Sequence, residues 1–341
     1  MSGGPPPSCF LPPDTRERFQ MSKHAWIAVY FLLNFLPGFF SDLSAQTSWI
    51  PLAKPTTQKL NKLCFLDSLK GWVVGDGGTI LKTTDGGLSW THEDPRLQNN
   101  ILSIYMLNDR VGWALARVVF GDTGSWYGTV LLKTTDGGDS WEQNPFWGEF
   151  FNTIVFVDSL NGWMGSEYGS LYGSNDGGRS WTQAYVDSTT WYATLPVRKI
   201  KFFSPSCWYA VGGFREMIGV VWKTTDSGSH WSVRGIGDEL FDMYFLDSLH
   251  IMAAGGGLDD GAGIARTTDG GASWRFNYVK IFGQARALAF RTRAEGWVAL
   301  GVTGNCMYTL DSGKTWKAVY TPDTSPVFDV TFTDPLTGYM V

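Results

Sequence analysis

The 341-residue chain is short of charge, cysteine and histidine, and each shortage closes off a class of function. Charged residues make up 17% of it, the formal net charge is −5, and no basic cluster stands out. A nucleic-acid partner is therefore not expected, because holding a phosphate backbone requires gathered Lys and Arg. The four cysteines, Cys9, Cys64, Cys207 and Cys306, occupy unrelated positions and imply no disulfide framework. Free thiols are the expected state, with a bridge such as Cys207 to Cys306 as the alternative. His24, His92, His230 and His250 lack metal-ligand spacing, so neither a metal nor another cofactor is expected.

What the chain does have is 15% aromatic residues, 41 glycines and a repeat. This composition suits an ordered, turn-rich β protein. The stretch Thr83-Thr84-Asp85-Gly86-Gly87-Leu88-Ser89-Trp90 returns at Thr134–Trp141, Ser174–Trp181, Thr224–Trp231, Thr267–Trp274 and Thr309–Trp316. The closing tryptophans (90, 141, 181, 231, 274, 316) are 51, 40, 50, 43 and 42 residues apart, a period that suits one four-stranded sheet per repeat.

A second motif keeps step with the first. An apolar strand, a short turn and an aromatic residue run from Leu63 to Trp72, and again through Ile104–Trp113, Ile154–Trp163 and Ala287–Trp297. Weaker versions cover Phe202–Trp208 and Met243–Met252, and a last one ends at Gly338-Tyr339. Each unit reads as an inner strand A, then B and C, the eight-residue box as the C-to-D turn, and an outer strand D. The box aspartates Asp85, Asp136, Asp176, Asp226, Asp269 and Asp311 are expected to bind backbone N–H groups of their own turns. The box tryptophans Trp90, Trp141, Trp181, Trp231, Trp274 and Trp316 are expected to fill space between sheets. Six equivalent turn residues cannot all face one substrate, so these twelve are structural candidates.

The unit Gly71-Trp72-Val73-Val74-Gly75-Asp76-Gly77-Gly78-Thr79-Ile80-Leu81-Lys82 leading into the first box resembles the Asp-box, or BNR, repeat. Such boxes are found in sialidases, sortilin-type receptor domains, xyloglucanase-type glycoside hydrolases and the photosystem II assembly and stability factor family. The full unit most closely resembles the last. The resemblance spans about 49–341 and implies an all-β propeller that holds a protein partner on one face. In that family a basic patch serves a photosystem precursor, whereas here arginines such as Arg198, Arg215 and Arg286 are scattered along an acidic chain. The arginine cluster, tyrosine nucleophile and Arg-Ile-Pro signature of sialidases are not recognisable.

Seven first strands against six boxes predict a seven-bladed propeller. Its last blade would be one strand short or truncated and latched by an N-terminal strand at Trp49; six blades is the alternative. Residues 1–20 are proline-rich and expected to stay outside the fold. Residues 21–45 read as a signal peptide, with a basic start, an apolar run from Ala25 to Phe40 and cleavage after Ala45. The propeller would then occupy 46–341 of a secreted or periplasmic monomer, without stable membrane insertion once the signal is cleaved. No cysteine follows the apolar run, which disfavours a lipid anchor.

The long connections, B to C and D to A, fall on one face, where binding is expected. The candidates there are Trp126, Tyr127, Trp147, Trp191, Tyr192 and Phe214, with Trp147 and Trp191 in long loops of adjacent blades as the leading pair. Exposed aromatics of this kind anchor polypeptides or stack on sugars. A non-catalytic scaffold for a protein partner is the leading expectation. The alternative is a glycan-binding propeller or a glycoside hydrolase acting on a polysaccharide, for which Glu149 and Asp259 are the conceivable carboxylate pair.

Overall fold

The computed structural model describes residues 49–53, 55–119, 127–187, 189–322 and 324–341. The proposed leader, residues 1–45, lies outside them. The first blade is the antiparallel meander β1 (Leu60–Phe65), β2 (Gly71–Gly75), β3 (Ile80–Thr83) and β4 (Thr91–Glu93). The second comprises β5 (Ile101–Met106), β6 (Gly112–Val119), β7 (Tyr127–Thr134) and β8 (Glu142–Trp147). The third comprises β9 (Phe151–Phe156), β10 (Gly162–Ser166), β11 (Leu171–Ser174) and β12 (Thr182–Gln183). A short strand β13 (Tyr185–Asp187) and a 3-10 helix (Trp191–Thr194) precede the fourth blade: β14 (Val197–Phe202), β15 (Trp208–Phe214), β16 (Ile218–Thr224) and β17 (His230–Ile236). The fifth blade is β18 (Leu240–Phe245), β19 (Ile251–Gly255), β20 (Gly263–Thr267) and β21 (Arg275–Tyr278). The sixth is β22 (Ala287–Phe290), β23 (Gly296–Ala299), β24 (Asn305–Thr309) and β25 (Lys317–Tyr320). Last come β26 (Val330–Phe332) and β27 (Gly338–Met340), which pair only with each other.

The propeller is thus six-bladed, and the seven blades read from the count of first strands are not formed. An A strand marks the start of a unit, but a blade also needs C and D, and those come only with a box. Six boxes give six blades, and the A–B hairpin of β26 and β27 sits between β22 and β1 as a two-stranded sheet. Among the described residues the N-terminal latch strand is not formed either: 49–53 are not in a strand. Pro51 and Pro55 remove two of the N–H donors a ladder would need. Trp49 nevertheless packs edge-on against Trp297 at 5.3 Å, the relation Trp231 has to Trp163 at 5.6 Å.

Each box is tied internally in one way. The leading hydroxyl, Thr83 in the first box, donates to Asp85 Oδ1 at 2.9 Å and accepts from Gly87 N at 2.8 Å. The aspartate in turn accepts from Ser89 N at 2.9 Å and from Ser89 Oγ at 2.6 Å. In the fourth box His230 Nδ1 replaces the serine hydroxyl, 2.7 Å from Asp226 Oδ2. The first glycine position has positive φ but also accepts Ser227 and Ser312, whereas the second is glycine in every box. The second position also has positive φ, and from the second box onward it is roofed by a strand-B residue of the preceding blade. At Gly228 a methyl group would run into the Trp163 ring.

The core is therefore a series of inter-blade layers. The deepest aromatics include the strand-B tryptophans Trp72, Trp113, Trp208 and Trp297, all at most 2% exposed. Of the box tryptophans, Trp231 and Trp141 are buried while Trp90, Trp181, Trp274 and Trp316 are half-buried. Cys64 and Cys306 are free thiols, so the considered Cys207–Cys306 bridge does not form.

Candidate functional site

Five of the six A strands carry a β-bulge near their start, opposite strand B. The register slips between Leu60 and Lys62, Ile101 and Ser103, Phe151 and Thr153, Val197 and Lys199, and Leu240 and Asp242. The extra residues are Asn61, Leu102, Asn152, Arg198 and Phe241. A bulge re-aims a side chain that the pleat would otherwise point away. Here all five extra residues, together with Lys62, Ser103, Thr153 and Lys199 that follow four of them, line one cavity of about 220 Å³ at the start of the A strands. Lys59, Arg286 and Phe328 complete its wall. Because D-to-A connections lead into these strand starts, the cavity opens on the face of the long loops.

Several wall residues also stitch neighbouring blades. Asn61 Nδ2 donates to Ile101 O, and Asn152 Nδ2 to Val197 O, both at 3.1 Å. Asp242 Oδ2, beside the cavity, accepts from Leu288 N at 3.0 Å, and Asp329 Oδ2 accepts from Leu63 N at 3.1 Å. Asp329 also pairs with Lys62 at 2.7 Å, and Asp242 with Lys201 at 2.8 Å. Burial pushes the Asp242 carboxyl up, but Lys201, Lys199 and Lys62 outweigh it and hold it at about 2. Lys199 goes the other way: burial, reinforced by Lys62 and Lys201, brings its ammonium down to about 7.

Above this ring lies an alternating arc of charge. Arg117 meets Glu167 at 3.3 Å, Arg198 meets Glu167 and Glu239 at 2.8 Å each, and the Arg286 guanidinium stacks over the Phe241 ring at 4.1 Å. Burial pushes the Glu239 carboxyl above its ordinary value against the pull of Arg198. Burial also tends to raise Glu167, but Arg198, Asn152 and Arg117 prevail and its carboxyl is lowered.

The comparisons agree with this architecture. The family model described as Photosynthesis system II assembly factor YCF48 matches residues 41–194. Photosystem II assembly lipoprotein Ycf48 of Synechococcus sp. (strain CC9902) is 23% identical over 300 residues, covering 83% of this chain and 82% of its own. Photosystem II stability/assembly factor HCF136, chloroplastic, of Arabidopsis thaliana is 22% identical over 308 residues, covering 80% of this chain and 70% of its own. The chain is an Asp-box propeller related to the photosystem II assembly factors. Among solved structures, YCF48 bound to D1 peptide superposes with a TM-score of 0.64 at 24% identity, covering 84% of this chain and 91% of that one. A Niastella koreensis GH74 enzyme gives 0.58 at 15% identity, covering 82% and 51%, a likeness of fold alone.

On this Asp-box propeller the aromatic candidates are spread around the loop face. Tyr127 is half exposed at the start of β7, 5.4 Å from the Phe150 ring, and Trp147 ends β8, 46% exposed. Trp191 and Tyr192 belong to the 3-10 helix beside β16, with Trp191 59% exposed and Tyr192 packed against the fourth blade. Trp147 and Trp191 therefore belong to the second and fourth blades, not to adjacent ones: β8 runs through most of the stretch read as a loop, and the 3-10 helix is carried past the third blade. Phe214, at the end of β15, is half exposed, and Trp126 lies outside the described residues.

The two carboxylates considered for hydrolysis are not drawn together by the fold. Glu149 lies after β8, where burial raises its carboxyl and the Tyr172 hydroxyl donates to it at 3.4 Å. Asp259 is exposed in the loop between β19 and β20, and neither residue lines the channel cavity. The residues missed in the sequence were the channel cations Lys59, Lys62 and Lys199. Aligning the A strands on the box period would have found Lys62 and Lys199, since Asn61-Lys62 and Arg198-Lys199 occupy the same two positions, and Arg286 matches the first.

A larger cavity of about 570 Å³ lies between the two-stranded sheet and the first blade. Its walls include Leu63, Val73, Leu81, Trp90, Tyr339 and Met340, so among the described residues it is largely an apolar gap in the core layer.

Proposed function

We propose that this propeller is a non-catalytic scaffold that holds a segment of a partner protein across its long-loop face, in a secreted or periplasmic setting. The observation that carries the reading is the concentration of Lys59, Lys62, Arg198, Lys199 and Arg286 at one cavity of a chain whose net charge is −5. Gathered cations at a concave mouth favour a segment bearing carboxylates, through steering as well as contact. Exposed Tyr127, Trp147, Trp191 and Phe214 around the mouth offer apolar anchors of the kind that dominate protein interfaces. YCF48, solved with a D1 peptide, uses a related propeller for a polypeptide ligand. The D1 partner is that protein's, and the scaffold role is what carries over here.

Affinity capture from the native periplasm or secretome tests the reading. A polypeptide should be retained by the wild-type chain and lost from the Trp147→Ala, Trp191→Ala double variant. Equal retention by both would remove the aromatic surface from the interface. Loss of capture in high salt should accompany it, since exposed charge contacts are screened.

A further inference from the structure

The cation ring contains more ammonium groups than its carboxylates pair. Asp329 spends Oδ1 on Lys62 and Oδ2 on Leu63 N. Asp242 spends Oδ1 on Lys201 and on Met243 N, and Oδ2 on Leu288 N. Lys199, placed among them by the β14 bulge, enters none of the ion pairs among the described residues. Arg198 already bridges Glu167 and Glu239, while the buried Nε of Arg286 in the same wall has no hydrogen-bond partner. A buried cation whose neighbouring carboxylates are already paired elsewhere is costly, and the protein can relieve that cost by releasing a proton or by admitting an anion.

We propose that the channel cavity around Lys199 is a binding site for a single oxyanion group, a carboxylate or a phosphate, and that the anion enters together with a proton taken up by Lys199. The cavity is small enough to select one such group. Its donors come from three blades, so the site exists only in the closed ring. The groups facing Lys199 are Lys62 from β1, Lys201 from its own strand, Asp242 from β18 and Asp329 ahead of β26. Arg198 and Arg286 lie in the same wall. With Asp242 held ionised by the lysines around it, Lys199 is the member of the ring whose charge can change near neutral pH. Anion binding and protonation are then linked, and each must strengthen the other. This deepens the partner reading, since the same cations carry both, but a free anion suffices to fill the site and so tests it without the partner.

Titration calorimetry of the full chain with inorganic phosphate, repeated with acetate, in two buffers of different ionisation enthalpy, tests this. Expected is one site, with about half a proton taken up per anion near pH 7 and an affinity that weakens about tenfold per pH unit above that. Lys199→Met should weaken binding at least tenfold and abolish proton uptake while leaving the melting temperature unchanged or higher, since it removes an unpaired buried charge. Lys199→Arg keeps a permanent cation, so it should bind the anion without proton uptake and with little pH dependence. Lys317→Met removes the same charge from an exposed strand and should change nothing. Absence of saturable binding, equal binding by Lys199→Met, or equal loss in Lys317→Met would each overturn the proposal. Acetate binding without phosphate binding would assign the site to carboxylates such as a peptide terminus; the reverse would assign it to free phosphate.

Discussion

Trp72 on the first blade donates its indole N–H to Gly137 O, in the box of the second, at 3.0 Å. Trp113 makes the same bond to Gly177 O at 3.2 Å, and the Tyr209 hydroxyl reaches Gly270 O at 2.7 Å. A strand-B side chain therefore reads the box of the next blade, and the box serves as the docking point between blades as well as a turn within one.

This coupling predicts a high cost for filling the second glycine of a box. Gly228 has φ +90 and its open side is covered by Trp163. Gly228→Ala should cost more than about 2 kcal/mol, combining backbone strain with overpacking. Ser227→Gly, one residue earlier, relieves a positive φ of 59° and should be neutral or stabilising. Urea denaturation of both variants checks the contrast.

The box tryptophans should not be energetically equal. Trp231 is fully buried, so Trp231→Ala is expected to cost about 3 to 5 kcal/mol. Trp181 is half-buried and keeps a local bond from its indole N–H to Gly178 O at 3.1 Å. Its alanine variant should cost less, about 2 to 3 kcal/mol, because part of the ring stays in contact with solvent. Equal losses in chemical denaturation would show that partial exposure does not set the ranking.

Acid should loosen at least four of the boxes within one pH window. Asp136 is held at about 2 chiefly by the Ser140 hydroxyl. For Asp226, Asp269 and Asp311 slight burial pushes upward but bonds from His230, Ser273 and Thr315 outweigh it, again giving about 2. A carboxyl whose folded value lies below its unfolded value of about 3.9 adds stability above that value and loses it as pH falls through the folded one. Melting temperature should therefore drop between about pH 4 and pH 2, and Ser140→Ala should flatten the drop slightly.

The aspartates at the channel act between blades. Asp242→Ala would strand the Lys201 ammonium and leave Leu288 N without its acceptor. A loss of about 3 to 5 kcal/mol is expected in equilibrium unfolding. The double variant Asp242→Leu, Lys201→Met should recover much of it, because the Lys201 ammonium is then no longer stranded.

Much of the scaffold was legible because the box couples local chemistry to a fixed period: Asp85 and its five equivalents announce their turns in the sequence itself. Blade number was misread at Val330–Phe332 and Gly338–Met340, where an A–B hairpin looks the same whether or not C and D strands follow. The channel site was obscured for a different reason. A bulge at Asn61 or Arg198 changes where two successive side chains point without altering the apolar pattern around them, so Lys62 and Lys199 read as ordinary strand charges. The adjacency expected of Trp147 and Trp191 did not hold, because sequence distance does not reveal that β13 runs parallel to β17 on the fourth blade.

The two-stranded sheet gives the ring a clasp. Across it, Tyr339 stacks on Phe65 with ring centres 3.6 Å apart, its hydroxyl bonds Ser68 O at 2.7 Å, and Asp329 holds Lys62 and the start of β1. These few side-chain contacts fasten a horseshoe of six stiff blades whose other junctions are backed by full sheets on both sides. Slow breathing of the molecule should be concentrated at that fastening, with the amides of β26 and β27 exchanging with solvent well before those of β6 or β15. Because Asp329 and Lys62 also stand in the cation ring, any partner that grips both sides of the clasp would lock the horseshoe shut.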